Sequence, residues 1–350
     1  MTLIVAAGCR DYAVLVADRR LSFDGQVRED ESNKLFVLHS TGLRLAVAYT
    51  GVGQLGSFRT AEWLPERLRD AMQPDGILNL DQCCERATKD FAQFRSARPA
   101  DLFLFLSIVG FVAAAETNER QLTRVLIGNA VLAEGEDRPQ RGSFSWTGGV
   151  YSGGSPETFA LVGGAIDRIY EPLRVELEQF LAMGRPSKAV VAQSVELIRG
   201  ASQSDQRVSA QCSSIVLHRS GDMVYDYHTS VPTKTIYSPA VITPKSIFLG
   251  VRIERQGDGV ASVPRVATGI PCPCRSGRRY GRCHGRPPAR GVKPTFELSD
   301  DGGIRFVVGN HVLVDDTQAM IVDLKEDELP STRRDRRRSG RLRKRSAGPN

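Results

Sequence analysis

The sequence predicts an α+β protein in which two β-sheets pack face to face and pairs of helices cover their outer sides. Segments typical of strands, two helices, strands, two helices and strands follow one another along residues 3–227. The chain of 350 residues is 41% hydrophobic and 25% charged, which excludes wholesale disorder. Its longest apolar run, residues 102–115, is shorter than the roughly 18–20 residues of a membrane span, so it predicts a buried strand.

The individual elements are predicted from residue periodicity and from turn and cap residues. Short apolar segments between Gly, Asp and Ser-Asn predict strands, and apolar residues three to four positions apart predict helices. The predicted strands are Leu3–Ala7, Ala13–Ala17, Leu43–Tyr49, Leu102–Ala115, Thr123–Leu132, Thr158–Val162, Ser213–His218, Met223–Tyr227, Phe296–Leu298 and Ile304–Val308. The predicted helices are Phe58–Met72, one capped near Asp81, Ile166–Met183 before Gly184, and one that Ser187 caps and Gly200 ends.

The chain divides into five predicted parts. They are a main domain over residues 1–245, a linker over 246–270, a cysteine-rich knot over 271–286, a small β-hairpin segment over 287–330, and an Arg-rich tail over 331–350 that is predicted to be disordered. The net charge of +7 comes from this tail, which sums to +8, so the rest of the chain sums to −1. The net positive charge therefore comes from the tail and not from a binding face of the fold.

The N-terminus and the cysteines predict a cytoplasmic protein. The first residues lack the basic segment of a secretory signal, and their apolar stretch is too short for one. The seven cysteines include an adjacent pair, Cys83-Cys84, and a cluster of three within twelve positions, Cys272, Cys274 and Cys283. An odd count with one tight cluster is typical of a reducing compartment and a metal site, not of a disulfide framework.

A threonine follows the initiator methionine. A small second residue permits aminopeptidase removal of Met1, which would leave Thr2 with a hydroxyl nucleophile and a free α-amine. An α-amine titrates at about pH 7.7–8.0, so at neutral pH it can serve as a general base. Many proteins begin with Met-Thr, so this feature alone does not indicate catalysis.

Four segments near the N-terminus share one ungapped register with a known family. They are Thr2–Val5 (TLIV), Ala13–Arg20 (AVLVADRR), Asn33–Phe36 (NKLF) and Ala48–Gln54 (AYTGVGQ). Together they resemble the N-terminus of proteasome β-type subunits and of the peptidase subunit of the bacterial two-component protease. The resemblance covers about residues 2–230 and implies the four-layer αββα sandwich of the N-terminal-nucleophile hydrolases.

The resemblance implies roles for individual residues. Thr2 falls on the nucleophile, and Asp18 and Lys34 fall on the acid–base pair beside it. Arg20 falls on a supporting basic position. A nearby ammonium favours the threonine alkoxide and keeps the pKa of the amine low, while a carboxylate holds that ammonium charged and oriented. Without the register, the three charged residues would be interpreted as a surface salt-bridge set.

Three further positions belong to the implied site, and the family pattern is broken in two places. Ala48 falls where a small residue supplies an oxyanion-hole N–H. Asp205 and Ser209 resemble the family's Asp-x-x-Ser segment, but the spacing is one residue longer, which puts Asp205 out of step. Gly164 stands where the family has a serine that hydrogen-bonds the threonine amine. Slow, altered or lost catalysis therefore stay open as alternatives.

The cysteine-rich knot has the spacing of a metal site. Cys272, Cys274, Cys283 and His284 form a C-x-C-x8-C-H frame, and a Ser-Gly turn lets the loop between them reverse. Four such ligands predict a structural Zn²⁺, whose binding would itself fold so short a segment. The pattern resembles the SEC-C motif, a small zinc knuckle, and the resemblance implies contacts with partner proteins.

Three functions are open on the sequence alone. The first is a threonine-type peptidase or amidohydrolase that acts on a peptide or amide substrate, with the knuckle recruiting a protein partner. The second is a non-enzymatic scaffold that self-assembles or binds through the knuckle, as proteasome α-type subunits keep the fold without the activity. The third makes the knuckle and the Arg-rich tail a nucleic-acid tether. No membrane partner is expected.

Overall fold

A computed structural model describes most of the first 250 residues and several later strands. The described residues are 2–23, 26–29, 32, 34–55, 58–73, 77–94, 103–114, 119–129, 143–151, 158–164, 171–228, 235–237, 239–244, 247–248, 252–256, 260–262, 294–298, 304–308 and 311–315. They all belong to the first of the two units into which contacts divide the chain, Met1–Ala319 and Met320–Asn350. The knot predicted at 271–286 and the tail predicted at 331–350 lie outside the described residues.

The described residues form four α-helices and twenty-two strands, which confirms the predicted α+β class. The helices are α1 (Thr60–Ala71), α2 (Leu80–Phe91), α3 (Glu171–Ala182) and α4 (Ser187–Ser204), and a short 3₁₀ turn, Ala92–Phe94, follows α2. The strands are β1 (Leu3–Gly8), β2 (Tyr12–Asp18), β3 (Leu21–Phe23), β4 (Gln26–Glu29), β5 (Leu35–His39), β6 (Leu43–Gly51), β7 (Gln54–Leu55), β8 (Phe58–Arg59), β9 (Leu104–Ala113), β10 (Arg120–Gly128), β11 (Ser145–Tyr151), β12 (Phe159–Gly164), β13 (Cys212–His218), β14 (Met223–His228), β15 (Thr235–Tyr237), β16 (Ala240–Ile242), β17 (Ile247–Phe248), β18 (Arg252–Gln256), β19 (Val260–Ser262), β20 (Pro294–Leu298), β21 (Ile304–Val308) and β22 (His311–Asp315).

Two large sheets contain most of these strands. One has five strands in the order β12-β1-β2-β13-β14, and the other has seven in the order β11-β10-β9-β6-β5-β16-β17. Neighbouring strands in both sheets are antiparallel, apart from the parallel pair of β5 and β16. Because β1 and β2 are antiparallel, with Ile4 opposite Ala17, the start of β1 lies beside the end of β2. In the same way the start of β5 lies beside the end of β6.

Alternate residues of the central strands face two different hydrophobic clusters. In β1, Ile4 belongs to a cluster that also contains residues of β5, β6 and β9, so the two large sheets pack against each other. Its neighbour Val5 belongs to a second cluster shared with α3 and α4. A third cluster joins the seven-stranded sheet to α1 and α2. Strands buried on both faces need apolar residues at every position, which explains the continuous apolar runs in the sequence.

Within the apolar run at 102–115, Leu104–Ala113 forms β9, a central strand of the seven-stranded sheet, as predicted. Ile108 packs on the cluster under α1 and α2, and Val109 packs between the two sheets. None of the helices in the described part of the chain is both long enough and apolar enough to cross a membrane.

Two predicted features of α4 are wrong. Ser187 is the first helical residue and not the cap, because the extended backbone of Pro186 places the N-cap one residue earlier. Gly200 does not end the helix, which continues to Ser204. A glycine inside a helix costs about 1 kcal/mol relative to alanine, and the burial of Ala201 against the five-stranded sheet offsets that cost. The predicted end of the preceding helix, α3, at Gly184 is confirmed, since Gly184 has the positive φ of 66° that is typical of a helix C-terminus.

Candidate active site

Polar side chains gather at one end of the two large sheets. Thr2 precedes β1, Asp18 ends β2, and Lys34 precedes β5. The antiparallel registers described above bring these strand ends together. The three side chains are 0–3% exposed, so they form a buried polar cluster at the end of an apolar interior. Burial of an ammonium is costly unless it is paired and hydrogen-bonded, so the partners of Lys34 decide what this cluster can do.

Lys34 is the centre of the cluster. Its Nζ donates hydrogen bonds to Oγ1 of Thr2 and to the main-chain carbonyl of Arg20. It also lies 3.5 Å from Oδ1 of Asp18. A hydroxyl, a carbonyl and a carboxylate are all acceptors that suit a charged ammonium, which has three N–H bonds to donate. The arrangement therefore places a buried positive charge directly on the hydroxyl oxygen of Thr2.

Asp18 holds this ammonium and is itself held by the main chain. Oδ2 of Asp18 accepts the N–H of Leu3 at 2.6 Å, and Oδ1 accepts the N–H groups of Arg20 at 2.8 Å and of Ser209 at 3.4 Å. Burial raises the pKa of the Asp18 carboxyl, while Lys34 and these three N–H groups oppose the rise. The carboxylate thus links the start of β1, the end of β2 and the segment before β13.

Arg20 contacts the cluster through its main chain. Its carbonyl accepts from Lys34 and its N–H donates to Asp18, so one peptide segment orients both partners. Its guanidinium donates to the carbonyl of Gln206 at 2.5 Å, in the loop after α4. The supporting role of Arg20 stays a prediction, and its side chain fixes the loop that carries Asp205 and Ser209.

Ser209 and Asp205 are placed differently from each other. Ser209 is buried, its N–H donates to Asp18, and its Oγ accepts the N–H of Gln211 at 3.1 Å. Asp205 is the C-cap that follows α4, and it pairs with Arg207, whose side chain and N–H donate to the carboxylate at 2.7–3.1 Å. These bonds hold the pKa of Asp205 below its usual range. Ser209 thus reaches the cluster, whereas the described hydrogen bonds of the Asp205 side chain are made with Arg207.

Ala48 and Gly164 lie on strands next to the cluster. Ala48 is fully buried in β6, opposite Leu35, the residue after Lys34. Its use as an oxyanion-hole donor stays a prediction. Gly164 ends β12 opposite Leu3, one residue from Thr2, and it brings no hydroxyl to this position.

Thr50 contacts the nucleophile position and was missed from the sequence. Its Oγ1 accepts the N–H of Thr2 at 3.1 Å and donates to the carbonyl of Thr2 at 2.9 Å. Thr50 is fully buried near the end of β6. A threonine in a strand is ordinary, so only its three-dimensional position shows that it holds Thr2.

Cys212 lies beside this cluster but takes no part in it. It pairs with Asp18 in the register of β13 on β2, and it is fully buried against the helices of the five-stranded sheet. Burial raises the pKa of its thiol to about 12, which leaves it protonated and unreactive at neutral pH. Cys212 is therefore a packed small residue of the core.

The described residues contain no group of three or more His, Cys, Asp or Glu that could hold a metal ion. The four predicted zinc ligands, Cys272, Cys274, Cys283 and His284, lie outside the described residues. Three thiolates and one imidazole are the donor set that structural Zn²⁺ sites use, so the residues fit the ion by their chemistry.

The sequence motif at the knot is confirmed by its match to a known family. Residues 270–286 match the SEC-C motif. Over 66% of this chain the structure is similar to "Anbu (Gly-1) mutant" from Hyphomicrobium sp. strain MC1, with a TM-score of 0.42, 11% identity and coverage of 88% of the other chain. It is also similar to "Anbu (ancestral beta-subunit)" from Yersinia bercovieri, with a TM-score of 0.40, 11% identity and coverage of 65% and 87%. No curated protein sequence matches the chain.

Proposed function

We propose that the protein is a threonine-type N-terminal-nucleophile hydrolase that cleaves a peptide or amide bond with Thr2. The observation that carries this proposal is the contact of the Lys34 ammonium with Oγ1 of Thr2, inside a buried cluster that Asp18 completes. Stability does not require a buried lysine beside a threonine hydroxyl, because two apolar side chains would fill the same space at a lower free-energy cost.

The hydrogen bonds around Thr2 favour proton transfer to its own amine. Lys34 donates to Oγ1, so the hydroxyl proton of Thr2 has to point away from Lys34. Once Met1 is removed, the α-amine of Thr2 is the base on the same residue, with an ordinary pKa of about 7.7–8.0. Attack by Oγ1 on a carbonyl carbon would transfer the proton to this amine and then to the departing amine. Water would release the acyl group from Thr2 in a second step.

The packing supports the four-layer αββα sandwich implied by the resemblance. One cluster lies between the two large sheets, and the other two clusters lie between each sheet and its own pair of helices. We propose that the chain has this fold of the N-terminal-nucleophile hydrolases, with Ala48 supplying an oxyanion-hole N–H. The buried polar cluster of Thr2, Asp18 and Lys34 is consistent with that proposal. It lies at the start of β1 and the end of β2, and Thr50 of the seven-stranded sheet also holds Thr2 there.

A catalytically inactive scaffold that acts through the SEC-C motif is the second candidate. Two observations favour it: Gly164 offers no hydroxyl near Thr2, and the Asp205 carboxylate bonds Arg207. A scaffold has no need for a buried charge on Oγ1 of Thr2, however, so we place it second.

We expect the mature chain to begin at Thr2. The mechanism needs a free α-amine on the nucleophile, and Met1 precedes a residue small enough for aminopeptidase removal. Intact mass measurement and N-terminal sequencing of protein from a host with a working aminopeptidase check this. A chain that keeps Met1 in such a host would rule out the proposed nucleophile.

We also propose that the SEC-C motif binds one structural Zn²⁺ and recruits a protein partner. The ligands would be Cys272, Cys274, Cys283 and His284, and with four protein ligands no position is left for a substrate. The described cysteines, Cys9, Cys83, Cys84 and Cys212, are free thiols, which supports a reducing, cytoplasmic compartment.

We expect one tightly held Zn²⁺ per chain, lost in Cys272→Ser and in Cys283→Ser. Because the knuckle is a short separate segment, the thermal unfolding of the main domain should change little in either variant. Elemental analysis measures the metal, and Cys9→Ser, which changes a cysteine outside the motif, serves as the control. A metal-free wild-type protein, or unfolding of the whole chain on chelation, would contradict the proposal.

A further inference from the structure

We propose that Thr50 is a positioning residue that holds the α-amine of Thr2 for proton transfer. It would take the place of the serine that is missing at Gly164. This inference rests on the proposed function, and it concerns a residue to which the resemblance assigns no role.

The two residues are joined by a reciprocal pair of hydrogen bonds. The nitrogen of Thr2 donates to Oγ1 of Thr50 at 3.1 Å, and the same hydroxyl donates to the carbonyl of Thr2 at 2.9 Å. Both side chains are at most 3% exposed, so water competes little for either bond. The main chain of Thr2 is therefore fixed from β6, on the opposite sheet from β1.

The direction of these bonds matters for a general base. A hydroxyl has one proton, and that of Thr50 is used on the carbonyl of Thr2. Towards the nitrogen of Thr2, Thr50 therefore presents only a lone pair. It can accept an N–H of the amine, but it cannot occupy the lone pair with which the amine must take the hydroxyl proton. Thr50 thus orients the base without weakening it.

Other contacts of Thr2 leave this task to Thr50. Lys34 acts on the hydroxyl oxygen of Thr2, and Asp18 accepts the N–H of the next residue, Leu3. Gly164 lies opposite Leu3 and has no hydroxyl. The same geometry that holds the amide nitrogen in the full-length chain is available to the amine after Met1 removal.

A purely structural role for Thr50 makes a different prediction. Thr123 in β10 offers the comparison, because it is also buried in the seven-stranded sheet and its hydroxyl also donates to a main-chain carbonyl, that of Gly149 at 2.9 Å. Thr50→Val and Thr123→Val remove the same group from similar surroundings. If Thr50 only stabilises the fold, the two variants should lower the unfolding temperature to a similar extent and leave the chemistry of Thr2 unchanged.

The experiment compares wild type, Thr50→Val, Thr50→Ser and Thr123→Val, each with Met1 removed. The rate of adduct formation at Thr2 with a peptide epoxyketone is measured against pH, and the pKa of the Thr2 α-amine is measured by NMR titration of ¹³C-labelled threonine. We expect Thr50→Val to react about tenfold more slowly at the plateau, which corresponds to the loss of one hydrogen bond. We expect Thr50→Ser to remain within about threefold of wild type, because it keeps the hydroxyl.

The titration gives a second readout that does not depend on activity. An acceptor stabilises the charged amine, so losing it should lower the pKa of the α-amine by about half a unit in Thr50→Val and leave it unchanged in Thr50→Ser and Thr123→Val. If Thr50→Val titrates like wild type, the inference is overturned, whether or not the protein is active. If the titration shifts but no variant forms an adduct, Thr50 holds the amine and it is the proposed nucleophile that fails.

Discussion

Lys34→Met is expected to slow acylation of Thr2 by about a thousandfold and to destabilise the protein. The rate falls because the variant removes the positive charge that lies on Oγ1 of Thr2 and would stabilise the developing alkoxide. The stability falls by about 3–5 kcal/mol because the buried Asp18 carboxylate loses its cation. Adduct kinetics and chemical denaturation measure the two effects separately.

A double variant separates catalysis from stability. Lys34→Met with Asp18→Asn removes both charges and keeps an acceptor for the N–H groups of Leu3 or Arg20, so it should regain part of the lost stability. It should stay as slow as Lys34→Met alone. Lys89→Met is the matched control, because Lys89 pairs with Glu85 on an exposed helix face and should affect neither property. If the double variant recovers the rate together with the stability, Lys34 has only a structural role.

Thr2→Ala is expected to slow hydrolysis by about a thousandfold, as Lys34→Met does, and Thr2→Ser is expected to retain part of the activity. Alanine keeps the α-amine but has no hydroxyl, while serine keeps both groups. Both residues are small, so Met1 is still removed from each variant. Because Thr2 and Lys34 act on one step, Thr2→Ala, Lys34→Met and the double variant should lose similar amounts of activity. Assays on peptide and small-amide libraries measure this, and losses that multiply in the double variant would show that the two residues act independently.

The order of the elements and the class of the fold could be predicted from the sequence because the central strands are buried on both faces. Strands such as β1 and β9 need apolar residues throughout, and such runs are visible in one dimension. The short strand β5 was missed, since five residues beside Lys34 carry little pattern. The end of α4 was predicted at Gly200 because tertiary packing of Ala201, which decides the outcome, has no local signature.

The candidate site was predictable only where a register with a known family existed. That register selected Thr2, Asp18 and Lys34, which the structure brings into contact. It could not find Thr50, whose side-chain bond to Thr2 joins residues 48 positions apart. The extra residue in the loop that carries Asp205 was visible in the sequence. The hydrogen bond from the Arg207 side chain to the Asp205 carboxylate was not, because it forms only in the folded loop.

The adduct of a peptide epoxyketone with the protein tests the central claim most directly. The reagent needs both a hydroxyl and a free α-amine on one residue, so intact mass and peptide mapping after exposure report nucleophile and base together. We expect one reagent per chain, mapped to an N-terminal Thr2, and none in Thr2→Ala. A wild-type chain that begins at Thr2 and stays unmodified after long exposure, while also hydrolysing no peptide or amide in a library, would contradict it.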